Sequence, residues 1–180
     1  MDYKLVQDKN IILTSNPEEQ IPEIATELVQ ILKSENKKIS LAESCTGGMV
    51  AESITNVSGS SDVFECGVVT YSNAFKEQLI DVDQNFLKEN GPINSETATM
   101  MANGVKKLAT SDIGIGITGV AGPGPDGSHP EGEIYIAAAI GTSTYVIKLM
   151  TDTDNKRNYN RKLATLNAIN LAVQVLKDNI

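Results

Sequence analysis

The sequence has few of the residues from which metal centres and disulfide frameworks are built. Its 180 residues include one histidine and two cysteines. Cys45 and Cys66 lie in separate segments, and His129 lies in a loop rich in glycine and proline, so the chain offers little material for a transition-metal site. A catalytic triad that depends on histidine has a single candidate for its base. We therefore expect no cofactor and no metal, and a metal-dependent hydrolase ranks last among the functions considered.

Basic residues are scarce as well. Lys and Arg number 15 against 23 Asp and Glu, which gives a net charge of −8. A broad nucleic-acid surface needs clusters of Lys and Arg, so this balance argues against nucleic acid as a partner and leaves room for one local phosphate pocket. The chain also lacks an apolar run of about 18 residues and a signal-peptide core at its N-terminus. These absences predict a cytoplasmic protein with no membrane partner.

The sequence does contain an alternation of helical and strand patterns. The hydrophobic content of 41% is typical of a globular protein, and the length suits one domain. Apolar residues at helical spacing and short β-branched runs locate the elements. The predicted strands lie at 39–42, 63–71, 113–118, 134–140 and 144–149. The predicted helices lie near 17–35, 49–54, 74–80, 84–89, 95–108 and 157–177.

This intermixing of strands and helices predicts an α/β fold, specifically a three-layer α/β/α domain with a mixed sheet. The sheet is mixed because the last two predicted strands form an antiparallel pair around Gly141-Thr142. The domain is expected to cover residues 16–180, with residues 1–15 as an N-terminal extension.

The most informative segment is 43–48, between a predicted buried strand and a predicted helix. A strand that ends in small hydroxyl residues and two glycines directs the Ser44 hydroxyl and several backbone N–H groups into one space. Together with the helix dipole, those N–H groups favour a phosphate or a developing oxyanion, and the residues leave open which. The donors would come from Cys45, Thr46, Gly47 and Gly48. An ordinary capped helix start is the alternative.

A second glycine pattern, Gly114-x-Gly116-x-x-Gly119, has the spacing of the dinucleotide-binding motif but does not lie in the structural setting that the motif requires. The fingerprint requires its glycines at a turn that opens a helix, whereas two of these lie inside a predicted strand. The segment that follows, 120–125, contains two prolines and cannot start a helix there. The glycines therefore allow a close backbone approach, either to a neighbouring helix or to a ligand.

A serine nucleophile needs a base, and Lys76 is the best candidate. Ser44 is not in a Gly-x-Ser-x-Gly elbow, so an α/β-hydrolase arrangement lacks its motif. Lys76 follows the polar strand exit 70–73, and in a parallel sheet that exit lies beside the Ser44 turn. The lysine must be desolvated or close to another cation to be neutral, and Tyr71 would relay its proton or hold it neutral. The alternatives are a solvated Lys76 and a nucleophilic Cys45.

Arg157 and Arg161 are one helical turn apart at the start of the last predicted helix. They share a face of that helix, in an unfavourable position relative to its dipole. They would bind a phosphate or pair with carboxylates across an interface. A solvated pair is the plainer alternative.

Six segments at matching spacing resemble the CinA C-terminal domain family. They are 42–48, 59–61, 69–73 with Lys76, 118–123, 132–135 and Arg157-x-x-x-Arg161. The resemblance runs from about residue 20 to the C-terminus. That family is similar to nicotinamide-nucleotide amidohydrolases, which convert nicotinamide mononucleotide and water to nicotinate mononucleotide and ammonia. The resemblance implies a serine nucleophile and a functional tyrosine and lysine, which correspond to Ser44, Tyr71 and Lys76.

The resemblance also implies a small-molecule nucleotide substrate and a homo-oligomer, dimeric or larger. The nucleotide would be lined by segments 59–61 and 118–122. The candidate substrate-binding residues are Glu43, Cys45, Thr46, Gly47, Gly48, Ser60, Asn73, Thr118, Gly119, Gly122, Arg157 and Arg161. A competing hypothesis of another class is a nucleotide-binding regulatory module, linked to competence or the DNA-damage response, without turnover.

Overall fold

The computed structural model describes residues 2–6, 11–151 and 156–178. Of the predicted extension 1–15, residues 1 and 7–10 therefore lie outside the described part. The strands are β1 (Lys4–Leu5), β2 (Ile39–Glu43), β3 (Phe64–Val69), β4 (Ile113–Gly119), β5 (Glu133–Ile140) and β6 (Ser143–Met150). The α-helices are α1 (Pro17–Ser34), α2 (Met49–Thr55), α3 (Asn73–Ile80), α4 (Gln84–Asn90), α5 (Ser95–Ala109) and α6 (Arg157–Asp178).

The six strands form one mixed sheet in the order β1-β6-β5-β4-β2-β3. Strands β4, β2 and β3 are mutually parallel, β5 is antiparallel to both β4 and β6, and β1 is parallel to β6. Helices α1, α2 and α6 pack together on one face of the sheet, and α5 with α3 covers the other. The predicted three-layer α/β/α fold with a mixed sheet is confirmed.

Strand β4 packs differently on its two faces. Ile113, Ile115 and Ile117 are buried in the main core cluster with residues of α1 and α6. The alternate positions face α5, and they are glycines. A Cβ at Gly114 would lie 2.1 Å from the Ala102 carbonyl oxygen, and one at Gly116 would lie 2.3 Å from that of Ala98. These two glycines therefore accommodate a neighbouring helix.

The same close approach recurs between α5 and α3. A Cβ at Gly104 of α5 would lie 2.0 Å from the backbone oxygen of Ile80, the last residue of α3. Backbone thus meets backbone twice, from β4 to α5 and from α5 to α3, with no side chain between them. This stack sets the height at which α3 lies over the carboxyl end of the parallel strands.

Two elements differ from the sequence prediction. Strand β3 ends at Val69, two residues before the predicted end at 71; the Thr70 amide still donates to the Glu43 oxygen at 2.9 Å, and the Thr70 oxygen accepts from Lys76. Lys4–Leu5, within the predicted extension, forms edge strand β1 against Tyr145 and Val146 of β6. Within the described ranges, none of the helices is both long and apolar enough to cross a lipid bilayer.

Candidate active site

The turn after β2 carries Ser44. Its amide donates to the Ile117 oxygen of β4 at 3.1 Å, which extends the β2–β4 ladder by one residue, and the amide of Gly47 donates to the Ser44 oxygen at 3.1 Å. Gly47 and Gly48 have φ values of 63° and 95°, which glycine adopts at little cost. The chain thus turns sharply between a buried strand and α2, and Ser44 lies at the carboxyl edge of the parallel strands.

The start of α2 is occupied by a side chain of the protein itself. The Glu43 carboxylate, 1% exposed, accepts hydrogen bonds from the amides of Gly48 (2.9 Å), Val50 (3.2 Å) and Ala51 (2.9 Å). This contact corrects two expectations, because the Gly48 amide is not free for a substrate anion and Glu43 is a helix cap that does not line the cavity. Of the four predicted turn donors, only the amides of Cys45 and Thr46 have no acceptor within the described part of the chain.

Lys76 reaches the Ser44 hydroxyl from the neighbouring strand exit. It lies one turn into α3, which Ser72 caps by accepting from the Phe75 amide at 3.4 Å. Its Nζ donates to the Thr70 oxygen at 2.8 Å and to Ser44 Oγ at 3.3 Å. The side chain is 1% exposed, and this burial lowers the pKa of Lys76 to about 8. The predicted pairing of these two residues is therefore present in the structure, with a lysine that loses its proton far more readily than a solvated one.

Cys45 faces the same cavity in an unreactive state. The side chain is buried, and desolvation raises the pKa of its thiol to about 12. Since the thiolate is the nucleophilic form of cysteine, a thiol of this kind is a weak rival to Ser44 at neutral pH.

Tyr71 and Asn73 are both exposed, and neither contacts the Ser44–Lys76 pair. The Tyr71 hydroxyl accepts from Arg157 Nη2 at 3.2 Å, and no hydrogen bond joins it to Lys76 or Ser44 in the described ranges. The predicted proton relay through Tyr71 therefore has no support in this geometry. Asn73 is the first residue of α3 and does not line the cavity.

A cavity of about 260 Å³ opens above Ser44 and Lys76. This volume is just below the range of typical small-molecule pockets. One wall is the loop that leaves β4, which includes the predicted residues Thr118, Gly119 and Gly122, and the hydroxyl of Thr118 donates to the Pro92 oxygen at 2.6 Å. The remaining lining residues are Cys45, Tyr71, Pro92, Ile93, Val120, Ala121, Pro123, Gly124, Pro125, Asp126 and Arg157.

Four of these lining residues had no functional signal in the sequence. Pro92 and Ile93 follow a glycine that ends α4, a pattern that indicates only a helix stop. Pro125 and Asp126 lie in a loop whose glycines and prolines indicate turns. The pairing of β4 with β5 directs that loop back over Ser44, and no local pattern reports such a long-range arrangement.

The two arginines of α6 have separate contacts. Arg157 donates through Nη1 to the Gly122 oxygen and through Nη2 to Tyr71, so it bridges two walls of the cavity. Arg161 donates to the Thr46 oxygen at 2.7 Å and does not line the cavity. The expected joint phosphate grip is therefore not present, since only Arg157 faces the space where a ligand fits.

Ser60 lies at the wrong edge of the sheet for a substrate contact. It forms a short 3₁₀ turn, Ser60–Asp62, immediately before β3. Strands β2 and β3 are parallel, so this turn is at their amino ends and Ser44 is at their carboxyl ends. Segment 59–61 therefore does not line the cavity above Ser44, and its contact with the nucleotide stays a prediction.

The hydrogen bonds of His129 are to Glu133 and Asp126, and none of them within the described residues is to Ser44. The His129 Nδ1 lies 2.8 Å from Oε2 of Glu133, and the other oxygen of that carboxylate, Oε1, accepts from Tyr135 (2.9 Å) and pairs with Lys148 (2.6 Å). His129 and Asp126 exchange two backbone hydrogen bonds of 3.0 Å, so this contact holds one wall of the cavity. Across the described ranges, no three side chains of the His, Cys, Asp and Glu types form a potential metal-binding group.

The fold and the cavity together define a three-layer α/β protein in which a buried lysine contacts a partly buried serine at the carboxyl edge of the parallel strands. The profile of the CinA C-terminal domain matches residues 21–176. The chain belongs to the CinA C-terminal domain family.

Individual relatives agree with this assignment. A CinA-like protein of Kosmotoga olearia is 41% identical over 145 residues, which are 80% of this chain and 34% of that protein. The competence/damage inducible protein CihA from Agrobacterium tumefaciens has a crystal structure with a TM-score of 0.81 and 28% identity, covering 92% of this chain and 99% of that one. A CinA superfamily protein from Escherichia coli gives a TM-score of 0.85 at 25% identity, covering 93% and 96%. The chain spans about a third of the length of the curated relatives that it matches.

Proposed function

We propose that the chain is an amidase that hydrolyses nicotinamide mononucleotide to nicotinate mononucleotide and ammonia, with Ser44 as nucleophile and Lys76 as base. The observation that carries the proposal is the contact of 3.3 Å between Lys76 Nζ and Ser44 Oγ, made by a lysine whose pKa burial lowers to about 8. A general base works best when its pKa is near the working pH, and a lysine near 10.4 would be protonated there. The choice of substrate rests on the similarity of the family to nicotinamide-nucleotide amidohydrolases.

The first chemical step is acylation of Ser44. Neutral Lys76 donates one N–H to the Thr70 oxygen, which aims its lone pair at the Ser44 hydroxyl. Ser44 Oγ then attacks the carboxamide carbon while its proton passes to Lys76. The amide of Cys45, a residue that lines the cavity, donates to no other described residue and is the candidate donor to the oxyanion. The C–N bond breaks as Lys76 protonates the leaving nitrogen, and ammonia departs.

The second step returns the enzyme to its starting state. Water attacks the nicotinoyl ester of Ser44, and Lys76, neutral again, takes the proton of that water. The ester C–O bond breaks, the proton returns from Lys76 to Ser44 Oγ, and the carboxylic acid that forms loses its remaining proton to solvent and leaves as nicotinate mononucleotide. Every proton transfer to or from Ser44 and the leaving nitrogen passes through Lys76, so the proposal needs no relay through Tyr71.

We assign the phosphate of the substrate to Arg157. The start of α2 is occupied by Glu43, and Arg161 binds the Thr46 oxygen. Arg157 is the remaining arginine at the cavity, and a guanidinium has five N–H donors, of which two are used here. A phosphate held there would place binding energy away from the reacting carbon, where it orients the carboxamide toward Ser44.

The test is an assay of ammonia release on nicotinamide mononucleotide, its riboside and free nicotinamide, each with and without a chelator. We expect the mononucleotide to react fastest, the riboside more slowly and nicotinamide most slowly, and the chelator to have no effect. Arg157→Met should lower kcat/KM for the mononucleotide about 10- to 100-fold, the value of a charge-assisted hydrogen bond, and should lower it less for the riboside, which loses only the wall contacts to Gly122 and Tyr71.

Three results would contradict this proposal. Equal rates on free nicotinamide would show that the phosphate is not read. Complete inhibition by the chelator, reversed by a divalent cation, would show that a metal supplies the nucleophile. Tight binding of the mononucleotide without ammonia release would favour the regulatory module.

A further inference from the structure

We infer that Glu43 and Arg161 are positioning residues that hold the Ser44 turn from opposite sides. The inference rests on the proposed function, in which Ser44 is the nucleophile. Neither side chain lines the cavity. Each of them nevertheless contacts the backbone of the turn at residues 44–48, which includes Ser44. One side chain accepts from the amides of the turn and the helix, and the other donates to a carbonyl of the turn.

Glu43 holds the far end of the turn. Its two carboxylate oxygens receive three amides, from Gly48, Val50 and Ala51, at 2.9 to 3.2 Å. No cation pairs with this buried carboxylate among the described residues, so three N–H groups and the helix dipole balance its charge. The last residue of β2 is thereby bonded directly to the first turn of α2. The turn between them, residues 44–48, is therefore fixed at both of its ends.

Arg161 holds the middle of the turn. Its Nη2 donates to the Thr46 oxygen at 2.7 Å, and a Cβ at Gly47 would lie 3.2 Å from the same atom. Arg161 Nη2 therefore lies close beside Gly47, whose φ is 63°, and a larger residue there would press on the guanidinium. The contact ties the turn to α6, which packs on β4 and β5 in the core.

The restraint matters because Ser44 and Lys76 are on different elements. Lys76 is held by α3 and the Thr70 oxygen, and nothing in that set of contacts controls where Ser44 lies. A displacement of about 1 Å at a reacting atom lowers a rate about 100-fold. The turn must therefore be held independently, and Glu43 and Arg161 are the side chains that hold it. Their loss should lower kcat and leave KM nearly unchanged.

The experiment compares Glu43→Gln, Arg161→Met and Arg161→Lys with the wild-type chain and with Asp83→Asn. Asp83 is the matched control, since it caps α4 by accepting from the Phe86 amide at 2.9 Å and does not line the cavity. Each protein is assayed for kcat and KM at pH 9, where Lys76 is mostly neutral, and for thermal midpoint. The labelling of Ser44 by a fluorophosphonate is followed by intact mass, since the serine oxygen forms a bond to phosphorus as fluoride leaves.

We expect Glu43→Gln to lower kcat and the labelling rate together by about 100-fold, with KM within about threefold. Arg161→Met should lower both about tenfold, and Arg161→Lys should recover most of that loss, since the contact is a single N–H···O bond. Asp83→Asn should lower the thermal midpoint without changing kcat or labelling.

The inference is overturned if Glu43→Gln raises KM at unchanged kcat, or if Asp83→Asn lowers kcat as much as Glu43→Gln does. If Glu43→Gln does not fold, the two Arg161 variants decide, and an equal loss in both contradicts the inference. A wild-type chain that is labelled but releases no ammonia refutes the amidase alone, and the labelling rates still judge Glu43 and Arg161. A wild-type chain that is not labelled at Ser44 refutes both.

Discussion

The turn after β2 and the loop after β4 leave neighbouring parallel strands at the same edge, yet they are held in different ways. The first, residues 44–48, is short, and Glu43 and Arg161 hold its backbone from inside the protein. The second, residues 120–132, is long and partly exposed, and polar contacts restrain it at intervals. Its restraints come from Arg157, Asn160, Glu131 and the His129–Glu133 contact.

The difference indicates that the position of Ser44 must be fixed closely, whereas the loop that forms the cavity wall must fit the outline of a ligand. In the proposed reaction, attack by Ser44 depends on a distance to Lys76 that must hold within a fraction of an ångström. Recognition of a nucleotide instead needs a wall that can adjust to a ligand of several rings and charges. Changes in the short turn should therefore act on kcat, and changes in the long loop should act on KM.

The largest effect is expected for Ser44→Ala. Removal of the nucleophile should lower kcat about 10,000-fold or more, with the thermal midpoint and mononucleotide binding nearly unchanged. Steady-state kinetics and calorimetric binding measure both quantities. Cys45→Ala is the matched neighbour and should lose less than tenfold. If the two results were exchanged, the nucleophile would be Cys45.

Lys76→Met should lower kcat about 100- to 10,000-fold, the usual contribution of a general base. In the wild type, only neutral Lys76 can accept the proton, so kcat/KM should rise with pH through about 8 and then level off. A profile that rises instead through about 10 would show that the lysine is not desolvated as the structure has it, and Lys76→Met with full activity would remove its role.

The same burial of Lys76 affects stability. Its folded pKa is lowered from 10.5 to about 8, so between those values the unfolded chain binds more protons than the folded one. Stability therefore rises with pH across that window, and the folded state is weakened by its buried ammonium at lower pH. Thermal midpoints measured at pH 7 and pH 9.5 should show a smaller pH-dependent gain in Lys76→Met than in the wild type.

His129→Ala tests the long loop. The substitution removes the contact between His129 and Glu133. The backbone of residue 129, which is hydrogen-bonded to that of the lining residue Asp126, should then move more freely. We expect KM for the mononucleotide to rise about three- to tenfold, the worth of roughly one hydrogen bond, with kcat within twofold. A fall in kcat at constant KM would break the division between turn and loop.

The smallest effect is expected for Ser60→Ala. Ser60 lies at the amino ends of strands β2 and β3, whereas the cavity lies at their carboxyl ends. Both kcat and KM should remain within about twofold of the wild type. A marked rise in KM would place part of the substrate where the structure has no cavity wall.

The fold was largely predictable because its signals are local. The apolar spacing of α1 and α5 locates those helices, and the parallel exits of β2 and β3 bring Ser44 and Lys76 together. The rest depends on long-range contacts. Glu43 reads as a polar strand end, and only the folded turn shows that it caps α2. Edge strand β1 has two residues, and its pairing partner is about 140 residues away.

The close backbone contacts under α3, at Gly116 and Gly104, have a mechanical consequence for the candidate site. Gly116 and Gly104 let backbone rest on backbone from β4 through α5 to α3. Such a stack has no rotatable side-chain bonds in it, so it has little freedom to expand or contract with temperature. The height of α3, and with it that of Lys76, above the strands is in this respect set by backbone contacts, whereas the position of Ser44 depends on its own turn. That height should survive the replacement of most side chains in the core, and it should change when one methyl group is added to either glycine.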